Sequence, residues 1–173
     1  NLTVSNELLE KNKINLEEEE GWTHYFNAQF FGAEGTDFTL ETTIRNQLQT
    51  GFQQCQDAII AVECELFNFE VHFTQTGCQK FAELTLGEVQ YGGIQNDLTK
   101  LTLNMNEWQK VTLSSESGVF SVYREDELLI EKEYSGTPGE LTMLHYSFRG
   151  NGQVNDLTLT NGEGEVFYAE DFE

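Results

Sequence analysis

The sequence predicts an all-β fold of the sandwich type, and two observations carry this prediction. Short runs rich in Phe, Val, Ile, Thr and Tyr follow one another along most of the chain, and Gly, Asn and Asp separate them. Within several runs apolar and polar residues alternate: Phe69, Val71 and Phe73 take every second position, with Glu70 and His72 between them. Alternation of this kind indicates strands with one buried face. No segment shows a convincing amphipathic helical pattern.

The predicted strands are the runs that combine β-forming residues with flanking turn residues. In chain order they span residues 37–46, 58–63, 67–75, 81–86, 108–113, 119–123, 128–134, 141–149, 154–160 and 166–172. They belong to one domain over residues 22–173, because no linker-like composition and no internal repeat interrupts this stretch. Residues 1–21 form an acidic lead-in or an edge segment, which ends in four consecutive Glu.

Charge excludes one class of function. Lys and Arg number 9 against 30 Asp and Glu, so the formal net charge is −21. Such a surface repels phosphate backbones, and we therefore expect no nucleic-acid binding. Aromatic residues make up 12% of the chain, with 13 Phe, which is typical of a folded domain rather than a disordered acidic tail.

No stretch of the sequence is long enough to cross a membrane as a helix. The longest purely apolar run is Ala58 to Val62, far short of the roughly 20 residues that a span requires. We therefore expect no membrane insertion by this domain. The chain begins with Asn1 rather than Met, so an anchor or signal in a segment outside this chain stays open.

The C-terminal third resembles a known family. It carries a Trp-x-Lys-Val strand from Trp108, a strand reading Phe-Ser-Val-Tyr to Tyr123, a Leu-Leu-Ile strand from Leu128, and a closing Gly-Asn-Gly-x-Val-x-Asp-Leu segment. This order is similar to the laminin-G-like jelly roll of the concanavalin A-like lectin and glucanase superfamily. The resemblance implies a two-sheet antiparallel jelly-roll sandwich over residues 22–172. Cys55-Gln56-Asp57 followed by Gly77-Cys78 resembles bacterial envelope members of that group.

One turn departs from the family pattern. Between the strands that end at Tyr123 and begin at Leu128, the family usually carries Asn-Gly or Asp-Gly, but this chain has Arg124-Glu125-Asp126-Glu127. Asp tolerates a positive φ better than most residues. We therefore expect Asp126 to take the left-handed conformation.

The resemblance makes an enzyme a hypothesis to test, because relatives of this fold hydrolyse glycosides. Retaining members carry Glu-x-Asp-x-x-Glu on one strand face. The nearest match begins at Glu63 and Glu65, but it lacks the central Asp, and Glu70 points to the opposite face of the same strand pattern. We therefore expect a non-catalytic domain. A glycoside hydrolase, or a degenerate relative of one, is the alternative.

The resemblance also implies sugar binding by aromatic rings and polar side chains. Sugar-binding relatives stack a pyranose on Trp or Tyr and hydrogen-bond its hydroxyl groups. The candidates for these roles are Trp22, Tyr25, Tyr91, Tyr146 and Arg149. The alternative for Tyr146, as for Trp108, is that the side chain packs in the core.

Calcium is the one cofactor that the resemblance suggests. Laminin-G-like relatives often bind it through loop oxygens, which a hard cation prefers. Asn151, Asn155 and Asp156 are the candidate ligands. The alternative is that this Gly- and Asn-containing loop only makes a turn.

Three cysteines leave one unpaired if the chain forms a disulfide. Residues 58–63 and 67–75 read as an antiparallel hairpin that turns near residue 65 or 66, which brings Cys55 and Cys78 almost opposite each other at its open end. Cys64 falls near the tip, too far from either for a bond. We therefore predict a Cys55–Cys78 disulfide and a free Cys64, which is typical of an extracytoplasmic protein.

Together these observations predict a non-catalytic recognition module that is extracytoplasmic, either periplasmic or at the cell surface. A glycan is the favoured partner. Besides the hydrolase, the second alternative is a sensor or scaffold domain of an envelope protein, in which the acidic surface meets a basic cell-surface protein.

Overall fold

A computed structural model describes residues 2–4, 22–33, 37–47, 55–149 and 151–171. Within these ranges the chain forms fourteen strands and three short 3-10 turns. The strands are β1 (Leu2–Val4), β2 (Trp22–Ala33), β3 (Phe38–Gln47), β4 (Asp57–Cys64), β5 (Asn68–Gln75), β6 (Glu83–Leu86), β7 (Val89–Gly92), β8 (Thr102–Leu103), β9 (Gln109–Glu116), β10 (Val119–Arg124), β11 (Glu127–Glu133), β12 (Leu141–Arg149), β13 (Asn151–Asn161) and β14 (Val166–Glu170).

Two sheets form a jelly-roll sandwich. The first sheet has the order β1-β13-β3-β9-β10-β11, and β14 pairs with β13 beside β1. The second has the order β2-β12-β4-β5-β6-β7, and β8 extends it beside β5. All pairs are antiparallel except β5 with β8. The predicted all-β sandwich is confirmed.

Every predicted strand is present, but four strands of the structure were not predicted. β7 and β8 are short, and β1 lies in the segment that we predicted as a lead-in or an edge. β2 is long, yet its pairing with β12 shifts register twice, near Leu141 and near Leu144. Such irregularities break the two-residue period by which a strand is recognised in a sequence. Most of the acidic segment, residues 5–21, lies outside the described residues.

The core lies between the two sheets. Phe69 is fully buried in β5, and its ring lies 5.2 Å from those of Phe38 and Phe120, which belong to the first sheet. Tyr146 is also fully buried, and its hydroxyl donates to Thr42 Oγ1 across the sandwich at 2.9 Å. Aromatic side chains of this size supply much of the burial that holds two sheets together.

The turn between β10 and β11 corrects one expectation. Glu125, not Asp126, has the positive φ, at 51°. A two-residue hairpin with positive φ only at its first central position is of the II′ type. The Glu125 side chain supports this geometry, because its Oε1 accepts a hydrogen bond from the Lys110 N–H at 3.0 Å.

The predicted disulfide is confirmed. β4 and β5 form the expected hairpin, in which Asp57 lies opposite Thr74. Just beyond its open end Cys55 is bonded to Cys78, with their Cα atoms 6.1 Å apart. Cys64 is free and buried. No helix among the described residues is long and apolar enough to span a membrane.

Candidate functional site

Polar side chains collect on the outer face of the second sheet, which we define by the residues of β4, β5, β6 and β12 that alternate with the core positions. Ile60 and Val71 are fully buried between the sheets, so their neighbours along the strands face outward. The polar residues of this outer face are Asp57, Glu63, Glu70, His72, Thr74, Glu83, His145, Ser147 and Arg149.

A buried carboxylate holds two basic side chains at one end of the outer face. The Asp57 side chain is only 1% exposed, and its Oδ2 lies 3.4 Å from His72 Nε2 and 3.6 Å from Arg149 Nη1. Arg149 and His72 keep 21% and 12% of their side-chain surface. A buried charge requires such partners. Asp57 therefore lies at ion-pair distance from a guanidinium and an imidazole on the outer face.

The strand ends that carry this arrangement are fixed from across the sandwich. Asn46 of β3 donates through Nδ2 to the carbonyl groups of Asp57, at 3.0 Å, and Arg149, at 2.7 Å. Both bonds join the first sheet to the second. They hold β4 and β12 at the level where the Asp57–Arg149 pair forms, so the backbone around the pair is fixed from the first sheet.

Small residues form the middle of the outer face. Ala61 lies between His145 of β12 and Glu70 of β5 in the strand register, and it is 2% exposed. At the next level Ile59 separates Ser147 from His72. Long polar side chains thus flank a floor of Ala61 and Ile59. Ile59 is partly exposed, so it supplies the apolar surface between these polar side chains.

Burial raises the pKa of the Glu70 carboxyl above its usual value of 4.5. Desolvation is the largest cause; the nearby His72 lowers the pKa, whereas the charges of Glu83 and Glu63 raise it further. A carboxyl group in this environment resists ionisation. Ionisation of Glu70 is therefore less favourable in the folded protein than in the unfolded chain.

Replacing Glu70 with Gln is expected to raise the melting temperature near neutral pH. The raised pKa means that the charged carboxyl costs stability in the folded state, and this cost disappears as the pH falls through the pKa. The advantage of Glu70→Gln should therefore vanish below the unfolded value of 4.5. Thermal melts across this pH range test it, with Glu116→Gln, at an exposed strand end, as the control that should change little. A lower melting temperature for Glu70→Gln at neutral pH would contradict the prediction.

Ser147 and His145 form a pair that the sequence analysis did not predict. Ser147 Oγ lies 3.0 Å from His145 Nε2, although the two residues are only two positions apart on one strand. The serine is 1% exposed. β12 is paired on both sides, with β2 and with β4, so its backbone N–H groups are engaged in ladders and are not directed at a developing oxyanion. This geometry does not support acyl transfer.

The carboxylates of the nearest glycosidase-like motif do not share a strand face. Glu63 is on β4, but the strand ends at Cys64, and the Glu65 N–H donates to the Glu140 carbonyl in the turn that follows. The hairpin instead brings Glu63 and Glu70 to the same outer face, because Ala61 lies opposite Glu70. We expected Glu70 to point away from Glu63 because the alternation was counted along one continuous strand. That expectation is wrong, because the two residues lie on the two paired strands of the hairpin.

The strand register places the backbones of two predicted sugar-binding residues opposite each other. Trp22 of β2 is paired in register with Arg149 of β12. Tyr25 is paired with Tyr146, whose side chain lies in the core and has no surface on which a sugar could stack. Tyr91 lies on β7, four strands away from β12, which carries Arg149. Its side chain is half-buried against the core, and Lys132 Nζ lies 5.4 Å from the centre of its ring.

The predicted calcium ligands lie along β13. Asn151 is opposite Gln47, whereas Asn155 and Asp156 fall where the register with β3 shifts between Val154 and Leu157. Asn155 Nδ2 donates to Asp156 Oδ2 at 2.9 Å. Among the described residues no group of three His, Cys, Asp or Glu side chains is placed to hold a metal ion. Calcium binding stays a prediction.

The sequence analysis missed the arrangement of Asp57 with His72 and Arg149. Glu70 and His72 carried a signal, since two ionisable residues at alternate positions of an otherwise apolar strand mark its solvent face. No pattern in the sequence indicated the ion pair between Asp57 and Arg149. These residues are far apart in sequence, and only the pairing of β12 with β4 makes them neighbours.

A second concave surface lies at the opposite end of the second sheet. This end cleft has a volume of about 600 Å³ and is formed by the turns at residues 64–68, 86–89 and 135–137. Phe67 lines it, and Gly87 lets the ring pack there, because a Cβ at Gly87 would lie 2.5 Å from it. Leu66 and Val89, also in its lining, are 72% and 52% exposed.

Solved structures of the same fold have several activities. The carbohydrate-binding module CBM66 from Bacillus subtilis matches with a TM-score of 0.54 and 14% identity, over 82% of this chain and 83% of that one. Sheep galectin-11 in complex with glycerol matches with a TM-score of 0.52 and 4% identity, over 79% of this chain and 96% of that one. Scytalido-glutamic peptidase with a peptide-based transition-state analogue matches with a TM-score of 0.50 and 14% identity, over 88% of this chain and 87% of that one.

These similarities establish the fold. No protein-family model matches the chain, and no curated protein matches it by sequence. Because a carbohydrate-binding module, a galectin and a peptidase share the sandwich, the fold is compatible with glycan recognition but does not by itself assign a function.

Proposed function

We propose that this domain is a non-catalytic glycan-binding module and that the glycan lies across the outer face of the second sheet. The observation that carries the proposal is the buried Asp57 carboxylate, which holds His72 and Arg149 in place. A guanidinium in a fixed position donates hydrogen bonds to sugar hydroxyl groups at little cost in side-chain entropy. Trp22 belongs to the proposed site because it is paired with Arg149.

The rest of the outer face supports the same function. Ile59 provides a small, partly exposed apolar surface, and Glu70, His145 and Glu83 add acceptors and donors around it. Sugars present both apolar ring faces and many hydroxyl groups, so they match a surface of this composition. A module that binds glycans outside the cytoplasm also agrees with the Cys55–Cys78 disulfide. We propose that the domain acts in a periplasmic or cell-surface protein.

Arg149→Ala is expected to weaken glycan binding by about tenfold or more, since a charge-assisted hydrogen bond is worth about 1.5–3 kcal/mol. A glycan array with the unmodified domain identifies ligands, and titration calorimetry compares the variants. Lys110→Ala is the matched control: it removes a cation from the outer surface of the first sheet, where Lys110 Nζ pairs with Glu41 Oε1 at 2.6 Å.

The control variant should bind the glycan as the unmodified domain does. Equal affinity of Arg149→Ala and the unmodified domain would place the glycan elsewhere. An array without any binding would remove the function. Turnover of a β-glucan that Glu70→Gln abolishes would favour the hydrolase alternative instead.

A further inference from the structure

Negative charge exceeds positive charge on the outer face. Its carboxylates are those of Asp57, Glu63, Glu70 and Glu83, whereas Arg149 supplies the guanidinium. Asp57 compensates Arg149, at 3.6 Å. Within the described residues, no Lys or Arg forms an ion pair with any of the three glutamates. They therefore leave this face with an excess of acceptors for a positively charged group.

The three glutamates are close enough to interact. Glu83 of β6 lies opposite His72, and Glu70 lies two residues along β5 from His72, so the two glutamates are diagonal neighbours. Diagonal positions on one face of a sheet are within about 7–8 Å. The raised pKa of Glu70 reflects this surrounding, because the charges of Glu83 and Glu63 add to the effect of desolvation while His72 opposes it. His145, across Ala61, is a second imidazole among the described side chains that faces this region.

Two buried oxygen atoms on the same face have no hydrogen-bond partner in the described part of the chain. They are Asp57 Oδ1 and Thr74 Oγ1, in residues that are 1% and 0% exposed and lie opposite each other in the β4–β5 hairpin. Both adjoin His72, since Asp57 contacts its ring and Thr74 lies two residues further along β5. Buried polar atoms are normally paired. These two oxygens are therefore unpaired acceptors on the acidic face, and they add to its unmet demand for hydrogen-bond donors.

We propose that the outer face selects glycans that carry protonated amino groups, the class of de-N-acetylated amino sugars. The proposal rests on the glycan-binding function argued above. A neutral sugar that covers Glu70 and Glu83 removes water from both carboxylates but does not compensate their negative charges. An anionic sugar is repelled by those charges. A protonated amine on the sugar forms charge-assisted hydrogen bonds with these carboxylates and restores the balance of charge.

Three oligosaccharides of equal length and the same β-linkage test this selection: oligomers of glucosamine, of N-acetylglucosamine and of glucose. In titration calorimetry at mildly acidic pH, where most of the sugar amines are protonated, the glucosamine oligomer should bind about tenfold more tightly than the other two, as expected for one added charge-assisted bond. Glu70→Gln combined with Glu83→Gln should abolish this preference and leave the affinity for the glucose oligomer unchanged or higher.

Glu41→Gln is the matched control, because it removes one carboxylate from the outer surface of the first sheet, and it is compared with Glu70→Gln alone. A specific contact predicts that Glu70→Gln weakens binding of the glucosamine oligomer and Glu41→Gln does not. Equal losses would assign the preference to the net charge of −21 and overturn the proposal. Equal affinity for all three oligomers would also overturn it while leaving glycan binding intact. Failure of every glycan, on the array and here, would instead remove the function on which it rests.

Discussion

Phe69→Ala is expected to lower the free energy of unfolding by about 3–5 kcal/mol, the range measured for large aromatic truncations in packed cores. Phe69 is fully buried, and its ring lies 4.8 Å from that of Phe67 and 5.2 Å from that of Tyr134. The rings of Phe38 and Phe120 contact it from the first sheet. Because paired strands of both sheets surround the site, the cavity cannot collapse freely. The total free energy of unfolding of such domains is about 5–15 kcal/mol, so the expected loss is a large part of it.

Urea denaturation followed by fluorescence measures this loss. Phe81→Ala is the matched control, since Phe81 is 47% exposed on a short turn before β6. Its removal should change the free energy of unfolding by no more than about 0.5 kcal/mol, as for surface substitutions in general. Similar losses for the two variants would mean that the aromatic cluster around Phe69 is not the core of the sandwich.

Removing the disulfide with the paired substitutions Cys55→Ala and Cys78→Ala is expected to cost about 3 kcal/mol, according to the chain-entropy model for a loop of this length. The bond closes a sequence separation of 23 residues across the open end of the β4–β5 hairpin. It also adjoins Asp57, the first residue of β4, so the paired variant should weaken glycan binding if this end of the hairpin loosens. Urea denaturation with and without a reductant measures the stability difference. The reductant should destabilise the unmodified domain and leave the paired variant unchanged.

Thiol chemistry checks the pairing independently. Burial raises the pKa of the free Cys64 thiol to about 12, so almost none of the reactive thiolate is present near neutral pH. Native protein should therefore resist alkylation, and unfolding without a reductant should expose one thiol, that of Cys64. A disulfide that contains Cys64, or three alkylated thiols in native protein, would contradict both the pairing and the extracytoplasmic placement.

The sequence alone was enough for the features that depend on local patterns. The alternation of Phe69, Val71 and Phe73 identified β5 and its buried face, because a strand places successive side chains on opposite sides. The short connection after Cys64 implied a hairpin, and an antiparallel hairpin determines which residues oppose each other. For that reason the sequence alone predicts the Cys55–Cys78 bond that the structure contains. Where bulges disturb the alternation, as in β2, the same reasoning failed.

Only the tertiary structure decided which polar residues share a site. The sequence contained Arg149 as a candidate, but its partner Asp57 belongs to a distant strand, and the pairing of β12 with β4 is a long-range event that no local pattern encodes. Tertiary packing likewise removed Tyr146 from the surface, because its phenol could reach Thr42 across the core. Periodicity tells which face of a strand is buried; the order of the strands within the sheet determines which outward-facing residues become neighbours, and the candidate site depends on that order.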